Sequence, residues 1–196
     1  MPTGGTLASG APNFRFVLLP AASYPTQLLT LLRARYTAQT TELVMTNAGS
    51  SGEWAEDGQI RLPGVLAANR PDAVLLMQGA NDLIALGMPG VNRASRAIDV
   101  MAREIRNRGA RAFVATIPPT RGTGVNAIPL SLVQSLNSQI RATARGENAV
   151  LVDVYEALSI DVNRYIGVDG LHPTEAGYQR IAATFFAAIR DNLERP

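Results

Sequence analysis

The chain has 196 residues, of which 46% are hydrophobic, and a formal net charge of +2 at pH 7, so one soluble-type globular domain with a sizeable core is expected. It has no cysteine and a single histidine, which excludes disulfides, thiolate chemistry and zinc sites built from histidine and cysteine. Every basic residue is an arginine and these are scattered along the sequence, so the charge pattern does not indicate nucleic-acid binding.

The predicted elements begin after a segment rich in glycine, threonine, serine and proline, residues 1–12, which is typical of a loop. We expect residues 1–22 to form an irregular segment and residues 23–196 to form one domain. Hydrophobic periodicity then predicts alternating strands and helices. After a short apolar run at 14–19 that Arg15 interrupts, the strands are expected at residues 42–46, 73–77, 111–117 and 149–153, and the helices at 26–36, 57–69, 91–108, 132–144 and from 176 onward.

This alternation predicts an α/β fold, a three-layer α/β/α sandwich with a parallel sheet, whose ligands bind at the carboxyl ends of the strands. Two polar clusters follow predicted strands at that edge: Asn-Ala-Gly-Ser-Ser-Gly at residues 47–52 and Gly-Ala-Asn-Asp at residues 79–82. Gly49 and Asn81 are the candidate functional residues of these clusters. The alternatives are a tight turn at Gly49 and a strand-ending Asx turn at Asn81.

The only histidine, His172, follows Asp169 by three residues across a glycine. The Asp169 carboxylate can therefore curl back, accept a hydrogen bond from the imidazole and fix its tautomer. Pro173 suits the first turn of the following helix. From the spacing alone, an Asp-Gly turn followed by a helix with His172 as its N-cap is an equal alternative.

Three sequence blocks resemble those of the SGNH (GDSL-type) hydrolases. Asp-Gly-Leu-His-Pro-Thr-Glu-Ala-Gly-Tyr resembles the last block, and Asn-Ala-Gly and Gly-x-Asn-Asp resemble the second and third. The resemblance covers the chain from about Ser23 onward and implies that His172 and Asp169 belong to a Ser-His-Asp triad. It also implies that the Gly49 N–H and the Asn81 amide donate to the oxyanion of the tetrahedral intermediate.

The block that departs from this family is Gly-Asp-Ser, which carries the nucleophile there and is absent from this chain. In the family it ends a central strand, so the strands predicted at 42–46 and 73–77 would face an unfilled gap. The favoured explanation is that Gly4-Gly5-Thr6-Leu7 is the tail of such a block and the strand with its serine lies upstream of Met1. The other is that residues 14–19 supply the strand and Ser23 is the nucleophile, although the following Tyr-Pro favours a helix cap.

We therefore expect an esterase-like or lipase-like domain that acts on a small acyl ester of a sugar or a lipid, with neither cofactor nor metal. The alternatives are a catalytically inactive binding protein that lacks the nucleophile and an incomplete gene product. No apolar run approaches the roughly 20 residues of a membrane span, and the first residues lack the parts of a signal peptide. The expected location is cytoplasmic as written, or extracytoplasmic if a missing N-terminus carries an export signal.

Two further features have more than one interpretation. Gly122-Thr-Gly124-Val-Asn-Ala127 superficially matches a dinucleotide-binding fingerprint. Pro118 and Pro119 separate it from its strand and Pro129 interrupts the expected helix, so we interpret it as a surface loop. Trp54 could line an acyl or sugar pocket, but a lone tryptophan is more often packed.

Overall fold

The computed structural model describes residues 5–7, 16–18 and 22–194, and shows strands alternating with helices. By its contacts the chain divides into two compact units. Unit 1 takes the described residues of Met1–Gly49, Pro118–Ala127 and Glu156–Pro196, and unit 2 takes Ser50–Ile117 and Ile128–Tyr155. The expectation of one domain over residues 23–196 stays a prediction.

Unit 2 contains a parallel sheet in which strand β4 (Arg111–Ala115) pairs with β3 (Ala73–Leu76) on one side and with β5 (Val150–Val152) on the other. Strand β4 lies in the middle, and it is an almost continuous apolar run with Phe113 and Val114 fully buried, as expected of a strand covered on both faces. The helices are α2 (Ala55–Asn69), α3 (Ala80–Leu86), α4 (Met88–Asn107) and α5 (Leu130–Gly146). The predicted class, α/β with a parallel sheet and helices packed around it, is confirmed.

Helix α4 shows why this sequence folds as it does. Ala94, Ile98, Met101 and Ile105 recur every three or four residues and are all buried, so one apolar stripe faces the core of the unit. The helix ends at Asn107, and Gly109 just beyond it has a φ of +81° and donates its N–H back to the Arg106 carbonyl at 2.9 Å. The helix predicted at residues 91–108 is therefore confirmed.

A buried side chain holds the backbone just after the end of β4. Asn137 on α5 is fully buried and forms two hydrogen bonds with Ile117, accepting from its N–H at 2.8 Å and donating to its carbonyl at 3.0 Å. A backbone that leaves a sheet loses its ladder partners, and buried N–H and C=O groups need replacements. Asn137 supplies both.

Unit 1 is built around the contact between its first long helix and its last. The rings of Tyr24 on α1 and Phe185 on α8 are stacked with centroids 5.4 Å apart, and Leu28 and Ile181 are fully buried. Burial raises the pKa of Tyr24 to about 12, with a smaller contribution from Tyr178. The elements are β1 (Gly5–Leu7), β2 (Phe16–Leu18), α1 (Tyr24–Arg35), a 3-10 helix (Thr37–Gln39), α7 (Val162–Tyr165) and α8 (Glu175–Leu193), while α6 (Val154–Ser159) crosses from unit 2 into unit 1.

The structure corrects three sequence-based expectations in unit 1. Residues 42–46 are not a strand, and Val44 is 82% exposed, because no described strand pairs with them and a strand without a ladder partner leaves its backbone groups unpaired. Residues 5–7 form a strand where a loop was expected; residues 1–4 and 8–12 lie outside the described residues. Within 14–19, Phe16–Leu18 is a strand, but it pairs antiparallel with β1 rather than joining the parallel sheet.

None of the helices formed by described residues combines the length and apolar character that crossing a membrane requires.

Candidate active site

Asp169 and His172 lie in a short loop that precedes α8. The loop is closed at its base by a bridge between Ile166 and Pro173, and the His172 carbonyl accepts a hydrogen bond from the Gly167 N–H at 2.8 Å. The base of the loop is therefore held by its own backbone.

Helix α8 begins with Thr174 as its N-cap, not with His172 or Pro173. The Thr174 hydroxyl accepts from the Gly177 N–H at 3.1 Å and donates to the Arg164 carbonyl at 2.7 Å. Pro173 precedes the cap, so the expectation that it occupies the first helical turn is wrong. The helix-cap alternative for His172 is also excluded, since a threonine hydroxyl satisfies the helix N-terminus instead.

The hydrogen bond that the spacing of Asp169 and His172 predicts is present. The imidazole Nδ1 lies 2.5 Å from Asp169 Oδ2, while Asp169 Oδ1 accepts from the backbone N–H groups of Leu171 and His172, each at 3.2 Å. An ionised carboxylate only accepts, so Nδ1 carries the ring proton and Nε2 is the basic nitrogen of the neutral ring.

Burial differs between the two partners. The Asp169 side chain is 3% exposed, whereas the His172 side chain is 41% exposed. Burial raises the pKa of the Asp169 carboxyl, but the His172 ring and the Leu171 and His172 N–H groups together outweigh it and hold the pKa below its usual value. A shielded anion beneath a half-exposed imidazole is the arrangement that a general base requires.

Gly49, the first candidate oxyanion donor, is exposed and belongs to unit 1. Its N–H donates to the Asn47 side-chain oxygen at 3.1 Å, which is an Asx turn. The tight-turn alternative thus describes the structure, and the oxyanion role stays a prediction. That role requires Asn47 to release this N–H when a substrate binds.

Asn81, the second candidate, lies in the first turn of α3 in unit 2. Its Nδ2 donates to the Glu53 carbonyl at 3.0 Å, which leaves the amide with a second hydrogen to donate. The Glu53 carboxylate accepts from Arg61 at 2.7 and 2.9 Å and from Gln78 at 2.9 Å. The hydrogen bond from Arg61 is the largest of the effects that hold the pKa of Glu53 below its usual value.

Asp82 is a residue of this region to which the sequence analysis assigned no role. Its carboxylate is almost fully buried and accepts from the Ala55 N–H at 3.0 and 3.3 Å, so it caps the N-terminus of α2 from a neighbouring helix. Burial raises its pKa, although the Ala55 N–H opposes the shift. The Gly-x-Asn-Asp block could have indicated Asp82 as a further residue of this region, because Asp82 follows Asn81 directly in that block.

Ser23, the low-ranked candidate nucleophile, is the N-cap residue of α1 and is 4% exposed. Its Oγ lies 3.0 Å from the Thr26 hydroxyl, and its carbonyl accepts from the Gln27 N–H at 3.1 Å. This position agrees with the helix-cap interpretation of the Tyr-Pro that follows it. Its identity as the nucleophile stays a prediction.

Trp54 is half-buried at the start of α2, with the Arg93 guanidinium 5.6 Å from the centre of its ring. Arg93 also pairs with Glu56, so the indole is one side of a small ion-paired cluster. This agrees with the packed interpretation of Trp54. Across the residues that the structure describes, histidine and acidic side chains form no group of three that could hold a metal ion.

Comparisons with known proteins place these residues in a family context. A family model for the GDSL-like lipase/acylhydrolase family matches residues 7–180. Esterase TesA of Pseudomonas aeruginosa is 26% identical over 167 residues, which are 83% of this chain and 78% of that protein. A GDSL-like esterase of Mycobacterium tuberculosis is 28% identical over 135 residues, which are 63% of this chain but 41% of that longer protein.

Solved structures show the same fold. The lipase/acylhydrolase from Enterococcus faecalis superposes with a TM-score of 0.75 at 22% identity, covering 100% of this chain and 94% of that one. The crystal structure of TesA superposes with a TM-score of 0.68 at 24% identity, covering 85% of this chain and 89% of that one. The predicted fold class is therefore confirmed on a second, independent ground.

Proposed function

Because the chain belongs to the GDSL-like lipase/acylhydrolase family, we propose that it hydrolyses esters of small acyl groups, with His172 as general base and Asp169 as its orienting acid. The observation that carries this proposal is the 2.5 Å contact between a buried carboxylate and the only imidazole of the chain. The comparisons support an esterase-like hydrolase and give no support to an inactive binding protein.

In the proposed reaction, a serine hydroxyl attacks the ester carbonyl while His172 Nε2 takes its proton. The ring becomes an imidazolium, and the negative charge of Asp169 stabilises it through Nδ1. His172 then returns the proton to the departing alcohol, and a water molecule repeats the sequence to release the acid. The low pKa of Asp169 suits this role, because the carboxylate stays ionised whenever the ring is charged.

The Gly49 N–H and the Asn81 amide are the proposed donors to the oxyanion. Charge develops on that oxygen only during attack, so each prepositioned donor lowers the barrier by about 3 kcal/mol. The second N–H of Asn81 supports its role, since the hydrogen bond to Glu53 uses one hydrogen and holds the amide in place. For Gly49, the substrate oxygen replaces Asn47 as acceptor.

The nucleophile is assigned by labelling with a fluorophosphonate, which reacts with activated serines but not with ordinary hydroxyl groups. Mass mapping of an adduct at Ser23 that disappears in His172→Ala would assign the role to Ser23. An adduct that forms only when a Gly-Asp-Ser segment precedes Met1 would assign it to that segment.

The decisive test is His172→Ala in whichever form of the protein takes the label. We expect turnover of p-nitrophenyl acetate to fall nearly to background, because no second imidazole can replace the base. A cooperative urea transition with an unchanged slope shows that the variant still folds, while its midpoint falls because the Asp169–His172 hydrogen bond is lost. An unchanged rate in His172→Ala would exclude the proposed mechanism.

The substrate class is tested with p-nitrophenyl esters of increasing acyl length. We expect kcat/KM to be highest for acetate or butyrate and to fall for longer chains. A maximum at long chains would replace the small-acyl proposal by a lipase-type one. Whether the natural alcohol is a sugar or a lipid stays a prediction, to be tested with acetylated sugars and glycerol esters.

A further inference from the structure

The glycine-containing segment from Arg121 to Ala127, here called the 121–127 loop, packs directly against the loop that carries Asp169. The Arg121 N–H donates to the Gly170 carbonyl at 2.9 Å, and the Asn126 N–H donates to the Asp169 carbonyl at 2.8 Å. Two consecutive carbonyl groups of the Asp169 loop are thus held by one other segment of unit 1.

Between these two hydrogen bonds the backbones touch without intervening side chains. A Cβ atom on Gly124 would collide with the Asp169 carbonyl group and the Gly170 nitrogen. A Cβ atom on Gly170 would lie 2.7 Å from the Arg121 oxygen and 2.8 Å from the Gly124 Cα, and Gly170 has a φ of +89°. Each glycine therefore makes room for the other, and the contact requires both.

The 121–127 loop is itself stiffened by two successive turns. The Gly124 N–H donates to the Arg121 carbonyl at 3.0 Å, and the Ala127 N–H donates to the Gly124 carbonyl at 3.1 Å. These bonds satisfy backbone groups within the segment, so it can act as a preformed support. The dinucleotide-fingerprint interpretation of the segment finds no support in this arrangement, because Gly124 faces the backbone of the Asp169 loop and not an open cradle.

We propose that the 121–127 loop is a positioning element for the Asp169–His172 pair. The side chain of Asp169 is set by its bonds to the ring and to the local N–H groups, but the place of its main chain is set by the 121–127 loop. The proposal deepens the proposed function and rests on it only where it concerns turnover. The role of the loop in holding the pair can be measured without any substrate.

Two glycines of the same loop give a matched pair of variants. At Gly124 an added methyl group meets the backbone of Asp169, whereas at Gly122 nothing lies within 4 Å of an added Cβ. Because the chain has one histidine, the ring nitrogens of His172 give a single set of 15N resonances that report which nitrogen is protonated and hydrogen-bonded. We expect Gly122→Ala to keep the wild-type pattern and Gly124→Ala to lose the signature of a bonded Nδ1–H.

The variants that change the 15N resonances of His172 should also be the variants that lose turnover. In Gly124→Ala, kcat is expected to fall on the order of 10²-fold, since a displacement of about 1 Å in a catalytic group has effects of that size. KM should change far less, because the ester-binding groups are not moved. A loss of stability alone would lower the amount of folded protein without altering the resonances of what remains.

If Gly124→Ala does not fold, a second pair at Arg121 tests the same idea. Arg121→Pro removes the N–H that binds the Gly170 carbonyl, whereas Arg121→Ala removes the side chain and keeps that N–H. We expect the His172 resonances to change in the proline variant and to stay in the alanine variant. Wild-type resonances in folded Gly124→Ala, or in Arg121→Pro, would overturn the proposal. A bonded Nδ1–H without esterase activity, in the form of the protein that takes the fluorophosphonate label, would instead overturn the proposed function and leave the inference standing.

Discussion

Replacing Asp169 by asparagine separates the orienting role of this residue from its contribution to the fold. The side-chain oxygen of asparagine can still accept from the Leu171 and His172 N–H groups, as Asp169 Oδ1 does at 3.2 Å. The new NH₂ group then occupies the place of Oδ2 and faces the ring at 2.5 Å. Since two donors repel, the ring must move its proton to Nε2, which is the wrong tautomer for a base.

The expected magnitudes differ sharply between activity and stability. Loss of one charge-assisted hydrogen bond should destabilise the protein by roughly 1.5–3 kcal/mol, while the wrong tautomer should lower kcat by on the order of 10⁴-fold, as in the serine protease case. Initial rates with p-nitrophenyl acetate and urea melts measure the two effects. Asp191→Asn, at an exposed carboxylate on α8, is the control for removing a charge and should change neither. If the Asp169→Asn variant kept more than a tenth of the wild-type kcat, the argument that Asp169 sets the His172 tautomer would be refuted.

Three further predictions concern pH, the core and the oxyanion donor. The pKa of Asp169 is lower in the folded protein than its unfolded value of about 3.9. The ionised carboxylate therefore stabilises the folded protein above that pH, and this stabilisation is lost as pH falls through the folded pKa. The difference in urea midpoint between wild type and Asp169→Asn should accordingly become smaller in acid. Asn137→Ala leaves two buried groups of Ile117 unpaired and should cost about 2–6 kcal/mol in urea melts, at roughly 1–3 kcal/mol each. Asn81→Ala should lower kcat about 10²–10³-fold if its amide binds the oxyanion, whereas loss of its bond to Glu53 alone would lower only the urea midpoint.

Each of these has its own control or contrary outcome. A midpoint gap that stays constant from pH 7 to pH 3 would contradict the pH argument. Asn192→Ala removes an exposed asparagine whose amide bonds the Ala188 carbonyl on α8, and a loss of stability equal to that of Asn137→Ala would show that burial is not the cause. For Asn81→Ala, an unchanged kcat would remove this residue from the oxyanion site.

The alternation of strands and helices was readable from the sequence because it depends on local periodicity. The apolar stripe of α4 and the apolar run of β4 each mark an element without reference to the rest of the chain. The strand expected at residues 42–46 failed because an apolar run of that length shows only that a segment suits a strand, not that a partner is beside it. Helix α3 is not predicted from the sequence, because its first turn contains the polar residues Asn81 and Asp82, which suggest a polar cluster at the end of a strand.

The site was predictable where its geometry is local and not where it is distant. Asp169 and His172 are three residues apart, so their spacing already fixes the contact between them. The position of Gly124 against Asp169 could not be foreseen, because the two segments are far apart in sequence and a glycine leaves no side-chain signal of what it faces. A tight turn is the alternative that the sequence offers at Gly49, and the structure has one there, formed as an Asx turn by the Asn47 side chain.

The bridge between Ile166 and Pro173 turns the Asp169–His172 loop into a small ring whose closure involves few residues. Closing so short a ring costs little chain entropy, and the 121–127 loop then holds its main chain at Asp169 and Gly170. The 15N resonances of the single imidazole would show whether a substitution elsewhere in the chain leaves this ring intact.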